Sequence, residues 1–246
     1  MKYLMLVCAM VVSMASASGF AASKVLIVLT NHSQLGDTGE RTGFWLSELT
    51  HPYYVLKDQG FQVDLASIEG GPAPIDPRSL EDKDPQQARF LSDAQLMAKV
   101  LTTPPLKAIN PEHYAAILFS GGHGSMWDFA NNAQVNRMAS AIYENNGVVA
   151  ALCHGPAALV GVKLSDGEFL IAGKKVTGFT NSEEAKVGLT EKVPFLLEDR
   201  LVSLGGRFQA SADFSDNVVV DNRVVTGQNP QSAESVGKAL VELLKK

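Results

Sequence analysis

Residue types that do nucleophilic chemistry come together at Ala151-Leu152-Cys153-His154-Gly155-Pro156, directly after the apolar run Val148-Val149-Ala150-Ala151-Leu152. The spacing small-x-Cys-x-small (Ala151, Cys153, Gly155) is the thiol form of a nucleophile elbow. In that turn a strand bends sharply towards a helix and lifts one side chain above the sheet edge. The flanking residues must be small because the turn crowds backbone and Cβ atoms. A thiol presented there attacks carbonyl carbon, in acyl transfer or in addition to an aldehyde. The competing reading of the same stretch is a buried cysteine packing as a small hydrophobe at a strand end. A second feature is Ser120-Gly121-Gly122-His123-Gly124, which follows the apolar run Tyr114-Ala115-Ala116-Ile117-Leu118-Phe119. A glycine turn after a strand exposes backbone N–H groups to an oxyanion. It fits neither a P-loop nor a dinucleotide fingerprint, so it predicts no nucleotide site. His123 within it is open between lining a pocket and lying idle.

The elements that would hold these residues read as alternating strands and helices. Val25 to Thr30 is a continuous β-rich run, suited to a strand covered on both faces. A polar loop over 31–42 leads into a helical pattern from Gly43 to Leu49, with Asp37, Thr38 or Thr42 as cap and a kink or break expected near His51 and Pro52. Gly60 closes that segment, and Phe61 to Ala66 is the second strand. Ser67 to Pro85 is an excursion rich in Gly, Pro and Asp. Helices are predicted over Ala88–Leu101, Val135–Tyr143, Ala157–Val162, from Ser182, over Phe195–Leu204 and over Ser232–Leu244; Phe169 to Gly178 reads as a hairpin. Phe208, Val218–Val220 and Val224–Thr226 are late short strands. The pattern is α/β, with a mostly parallel sheet and helices on both faces. Ligands in such sheets bind at the carboxyl ends of the strands. The loop around Glu48, the glycine turn and Cys153 all follow strands, so they converge on one edge.

The 246 residues carry 46% hydrophobic and 19% charged side chains and a net charge of −5 with no basic block, which argues against a nucleic-acid partner. Lys2, the apolar run Tyr3 to Met14 and Ala15-Ser16-Ala17 together read as a signal peptide cleaved near Ala17 or Ala21. The expectation is therefore a leader over about 1–21, one domain over 22–246, no stable membrane anchor, and a periplasmic or secreted location. Cleavage would also remove Cys8 and leave Cys153 as the sole, unpaired thiol.

These motifs together resemble the ThiJ/PfpI superfamily, within the class I glutamine amidotransferase-like fold. The stretches that carry the resemblance are Ala151 to Pro156, Ser120 to Gly124, Thr42 to Pro52, Val176-Thr177-Gly178-Phe179-Thr180 and Val225-Thr226-Gly227-Gln228-Asn229-Pro230. The set is most similar to the branch of glutathione-independent glyoxalases (glyoxalase III) and heat-shock chaperones. The resemblance runs from about Lys24 to the C-terminus. It implies a flavodoxin-like three-layer sandwich, often homodimeric. It implies that Cys153 is the nucleophile, His154 its partner, and Glu48 the acid that approaches the thiol. The third acid, counted from Phe179, falls on Glu184, with the adjacent Glu183 as the alternative. Oxyanion donors would be the N–H groups of Gly122 and His154, with His123 in the pocket wall.

The reaction so implied converts methylglyoxal or a related 2-oxoaldehyde to a 2-hydroxy acid through a Cys153 hemithioacetal, the D-lactate dehydratase activity. It needs no cofactor, no metal and no glutathione. A thiol-dependent protein deglycase or hydrolase would use the same nucleophile, and a stress-related holding chaperone would not need it. His32, His51 and His113 lack partners at metal-ligand spacing and read as surface or packing residues. Trp45, Trp127 and Phe129 read as core or wall, while Asp37, Arg41 and the acids near Asp82 and Asp84 read as solvated.

Overall fold

The computed structural model describes residues 23–81 and 83–246. The leader expected over residues 1–21 lies outside the described residues, and so do Cys8 and Asp82. In chain order the strands are β1 (Lys24–Leu29), β2 (Gln62–Ser67), β3 (Ala116–Phe119), β4 (Val148–Leu152), β5 (Lys175–Val176), β6 (Arg207–Phe208), β7 (Val218–Asp221) and β8 (Val224–Gly227). The helices are α1 (Leu46–Asp58), α2 (Pro85–Ser92), α3 (Ala94–Leu101), the single turn α4 (Ser125–Asp128), α5 (Ala133–Glu144), α6 (Asn181–Lys186), α7 (Leu197–Ser203) and α8 (Ala233–Leu244).

Six strands form one sheet in the order β2-β1-β3-β4-β8-β7. All neighbours run parallel except the edge hairpin β7–β8. This is the expected flavodoxin-like sandwich, with its strand order reversing beside β1 and β3, where such folds place their ligands. Alternation along the strands sorts the core into two layers. Val25, Ile27, Leu29, Leu118 and Ala150 face α1, α2, α3 and α8 through Leu49, Tyr53, Phe90, Val100 and Leu240. Leu26, Val28, Ile117, Phe119 and Val149 face α5 and the segment after the elbow through Val135, Met138, Ile142 and Leu159.

Several local expectations need correction. Pro52 does not break α1, which runs unbroken from Leu46 to Asp58. The missing N–H costs about 3 kcal/mol, and burial of Leu46, Leu49, Tyr53, Tyr54 and Leu56 outweighs it. The cap of α1 is not Asp37, Thr38 or Thr42: Trp45 occupies that position without a side-chain bond, and the Thr42 hydroxyl donates to Asp76 instead. The helix expected over Ala88–Leu101 is two helices. Asp93 leaves the helical region (φ −87°, ψ 101°) and its carboxylate caps α3 through the N–H groups of Gln95 and Leu96. Phe169 to Gly178 is not a hairpin, because β5 pairs in parallel with β6, outside the main sheet. Asp84 is not merely solvated: it caps α2 and accepts from the His51 ring at 2.7 Å.

The segment after the elbow is the correction that bears on chemistry. Instead of a helix over Ala157–Val162, a single 3₁₀ stretch spans Gly155–Leu159. Its start is pinned by packing, since a Cβ on Gly155 would sit 2.2 Å from the Phe119 carbonyl oxygen. Gly155→Ala is therefore expected to cost about 2–4 kcal/mol of stability and to displace the turn that carries the thiol. Urea unfolding checks the first, and the rate of thiol alkylation in the folded state checks the second.

Candidate active site

Cys153 follows the last residue of β4 and adopts φ +57°, a left-handed conformation costly for any residue with a Cβ. The backbone is clamped there from both sides. Its N–H donates to Gly227 at the end of β8 (2.9 Å), and its carbonyl accepts from Phe179 N–H (2.8 Å). Strain held in place by neighbouring strands is what the elbow reading requires, whereas a cysteine that merely packs needs none.

Two acids approach this turn from opposite sides. Glu48 lies in the first turn of α1 and is fully buried. Its Oε2 accepts from Gly121 N–H at 2.9 Å, and its Oε1 has no hydrogen-bond partner among the described residues. Burial pushes its carboxyl up to about 8, against smaller opposing effects of hydrogen bonds from Cys153 and Gly121. Glu48 thus carries a proton at neutral pH beside the thiol. Burial, and then the Glu48 charge, push the Cys153 thiol up in turn, while the Gly122 N–H pulls it down. The two groups share one pocket, and with the 3₁₀ turn in place of a full helix, no long helix dipole is there to draw the thiol down. Proton removal falls to the other side.

There the Cys153 Sγ lies 3.3 Å from His154 Nδ1, and His154 Nε2 lies 2.8 Å from Glu184 Oε2. An ionised carboxylate only accepts, so His154 carries its proton on Nε2 and turns the Nδ1 lone pair to the thiol. Burial alone would raise Glu184, but the His154 and His123 rings outweigh it and hold the carboxyl well below the usual carboxylate range. Of the two adjacent acids, Glu184 is the one whose carboxylate reaches His154. Glu183 closes the capping box of α6 with Thr180 and accepts from Asn229 and the Phe214 N–H, so it is spent on structure.

His123 belongs to this cluster, in line with the pocket-lining alternative. Its Nε2 lies 3.0 Å from Glu184 Oε1, and its ring centroid is 4.0 Å from that of His154. Gly122 takes φ +98° and leaves no room for a Cβ, which would meet Gly43 O at 2.4 Å. That fit aims its N–H at the sulfur. The His154 N–H makes no hydrogen bond among the described residues, as an oxyanion donor would require. The ligand atoms of His123, His154 and Glu184 lie within 4.8 Å of one another, a spacing at which such groups can hold a metal. Here both ring Nε2 atoms are committed to the carboxylate, and we assign no metal to them.

Sequence reasoning missed Arg78, Asp76, Thr42 and the role of Phe179. Arg78 Nη2 lies 3.1 Å from His123 Nδ1, and its Nε and Nη2 also donate to Asp76. Phe179 packs its ring 4.3 Å from that of His154. Asp76-Pro77-Arg78 falls within the excursion over Ser67 to Pro85, and in the structure Asp76 caps a 3₁₀ turn, so nothing local in the sequence pointed to a catalytic edge. His32, a packing residue, stacks on Trp127 at 4.9 Å. A cleft of about 990 Å³ lies at the opposite edge of the sheet and is lined by Lys24, Gln62, Tyr114, Gly147 and Arg223. It holds none of the groups above.

An α/β sandwich whose central strand ends in a strained cysteine, flanked by a buried carboxyl and a His–Glu pair, defines a cysteine-nucleophile class of protein. The chain belongs to the DJ-1/PfpI family, whose model matches residues 41–243. It is similar to the probable glutathione-independent glyoxalase hsp3103 of Schizosaccharomyces pombe (34% identity, 84% of this chain and 92% of the relative). It is equally similar to the glutathione-independent glyoxalase HSP31 of Saccharomyces cerevisiae (34%, 92% and 99%). Among solved structures it resembles the Rapid Encystment Protein 24 kDa of Francisella tularensis (45% identity, 90% and 99% coverage, TM-score 0.88). It also resembles glyoxalase III of Candida albicans (28%, 90% and 97%, TM-score 0.83).

These comparisons overturn the expectation of a signal peptide and of a periplasmic or secreted location. The curated relatives, matched over nearly their whole length, are yeast glyoxalases, and nothing in them supports export. With it falls the argument that cleavage leaves one thiol; Cys153 is the free cysteine among the described residues. Among those residues no helix is long and apolar enough to cross a membrane.

Proposed function

We propose that this chain is a glutathione-independent glyoxalase that converts methylglyoxal, or a related small 2-oxoaldehyde, to the 2-hydroxy acid. The observation that carries the reading is Glu48: a fully buried carboxyl, raised to about 8, with one free oxygen in the pocket of the thiol. A hydrolase needs a nucleophile, a base and an oxyanion hole, all of which the other side of the site offers. A second, protonated acid next to the sulfur serves a reaction that must also move a proton between adjacent carbons. The glyoxalase names of the relatives support the same choice.

The steps follow from the geometry. His154 Nδ1 takes the thiol proton as Cys153 Sγ bonds to the aldehyde carbon, and Glu48 gives its proton to the aldehyde oxygen. The product is a hemithioacetal. The Glu48 carboxylate so formed removes the C1 hydrogen as a proton while the His154 imidazolium gives its proton to the C2 oxygen, giving an enediol. Glu48 then returns its proton to C2 as the C1 hydroxyl proton passes back to His154. Reprotonation at C2 gives a 2-hydroxy thioester, and water attacks its carbonyl carbon, releasing the acid and restoring the thiol. One water is consumed and no redox partner is needed. The Gly122 and His154 N–H groups stabilise the oxyanion of the last step. Incubation with methylglyoxal, read by D-lactate formation and by mass spectrometry of the Cys153 peptide, tests the proposal. Turnover with a transient adduct of one methylglyoxal mass supports it. Release of amine from a glycated peptide without lactate from methylglyoxal would replace it with the deglycase reading. A homodimer belongs to the same proposal, and sedimentation at twice the chain mass is its check.

A further inference from the structure

The histidine in the glycine turn does not touch the thiol, yet it is bound on both ring nitrogens. Its Nε2 faces Glu184 Oε1 at 3.0 Å and its Nδ1 faces Arg78 Nη2 at 3.1 Å. A guanidinium only donates, and an ionised carboxylate only accepts. The ring between them must therefore accept at Nδ1 and donate at Nε2, which is the neutral Nε2–H tautomer. A second proton would have to enter at Nδ1, against the Arg78 N–H and its charge. Arg78 is itself fixed, since its Nε and Nη2 donate to the buried Asp76 at 3.0 and 2.6 Å, and Asp76 also accepts from Thr42 at 2.8 Å.

Glu184 is shared by two rings whose centroids lie 4.0 Å apart and whose planes are tilted by 40°. If His123 became a cation it would form the ion pair with Glu184. It would also oppose the positive charge that His154 must take when it receives the Cys153 proton. We propose that Arg78 is a positioning residue that keeps His123 neutral, so that the whole Glu184 charge is reserved for His154. The groups facing His123 are Glu184 from α6, His154 from the elbow, Arg78 from the 3₁₀ turn Pro77–Leu80, and the apolar Phe179. Burial, then His154, hold the His123 imidazolium down to about 4, with Arg78 acting in the same direction and Glu184 against it.

The inference rests on reading Cys153 as the nucleophile, and its test uses the thiol rather than a substrate. Ring ¹⁵N spectra of histidine-labelled protein, with His123→Asn for assignment, are expected to show an unprotonated Nδ1 and a protonated Nε2 on His123, unchanged between pH 5.5 and 8. Arg78→Met should free His123 Nδ1 to accept a proton and move its titration up towards the acid end of that range, with burial and His154 still opposing the cation. It should also slow iodoacetamide alkylation of Cys153 by about fivefold at pH 5.5 relative to pH 7.5, beyond the wild-type ratio, a shift of roughly 0.7 pH unit. Arg78→Lys should restore the wild-type ratio, and Arg78→Met added to His123→Asn should change it no further. Because Arg78→Met strands the buried Asp76 charge, the Arg78→Met/Asp76→Asn double variant is measured beside it. A doubly protonated His123 in the wild type overturns the proposal. So does a loss of alkylation in the Arg78 variants that is the same at every pH, the mark of lost packing or of the lost Arg78 charge near the thiolate. If the alkylation results hold while methylglyoxal is not turned over, the glyoxalase reading fails and this one stands.

Discussion

Replacing Cys153 with alanine is expected to abolish conversion of methylglyoxal, by about 10⁴-fold or more, because no other group can form the covalent intermediate. The Cys153→Ser variant should fare little better: a hydroxyl next to a neutral imidazole and a protonated Glu48 is a much weaker nucleophile than a thiol. The companion effect is on stability. Cys153 holds φ +57° while its N–H and carbonyl are tied to Gly227 and Phe179. Alanine inherits that strain, and glycine does not. Cys153→Gly should accordingly be more stable than Cys153→Ala by about 1 kcal/mol, read from urea or thermal unfolding. Equal stability of the two would mean that the elbow is relaxed, and residual D-lactate formation by either would remove Cys153 from the mechanism.

The contrast between Cys153 and Arg78 shows what a linear sequence makes legible here. The strand-to-turn pattern around Cys153, with small residues on either side, is written in one short stretch, although the atoms that crowd Gly155 belong to Phe119 and Gly121 on the neighbouring strand and its turn. The glycine turn is legible by composition alone, whereas the atoms Gly122 must yield to, Gly43 and Trp45, come from a distant part of the chain. Parallel strand order then places both at one edge, and the buried β-rich runs suffice to announce that order. The His154–Glu184 contact spans 30 residues and was reachable only through family resemblance, with two adjacent acids left open until the capping box claimed Glu183. Arg78 reaches His123 across 45 residues from the excursion over Ser67 to Pro85, where nothing local in the sequence pointed to it. Long-range polar pairing has no period and no local steric signature, so it stays invisible until the chain is folded. Pro52 illustrates the opposite error. The local rule was sound, but the apolar contacts of α1 outweighed it.

Glu48→Gln should cost about 10³-fold in kcat without slowing alkylation of Cys153, and speeding it if anything, since the amide preserves shape, can still accept from Gly121 N–H and removes the Glu48 charge that pushes the thiol up. That split separates a proton shuttle from a thiol activator: loss of both together would assign Glu48 to activation and displace it from the carbon-to-carbon proton transfer. The same variant should be more stable than the wild type, by an amount that grows with pH. Folding retains on Glu48 a proton that the unfolded chain releases near its ordinary value of 4.5, because burial lifts the folded carboxyl to about 8. The folded state therefore binds more protons than the unfolded state between those values, and wild-type stability falls as pH rises through that window. At one decade per 1.4 kcal/mol, the loss attributable to this group between pH 4.5 and pH 7 is about 3 kcal/mol. Glutamine does not titrate, so the gain of Glu48→Gln over wild type should be small at pH 4.5 and larger at pH 7 by that amount, measured as paired urea unfolding curves. A gain independent of pH would mean that Glu48 is already ionised in the folded protein, and a site with an ionised Glu48 has no proton to give the aldehyde oxygen. Glu48 therefore costs the fold stability at neutral pH, and its place in the first turn of α1 lets Gly121 satisfy one oxygen while the other is free to meet the substrate.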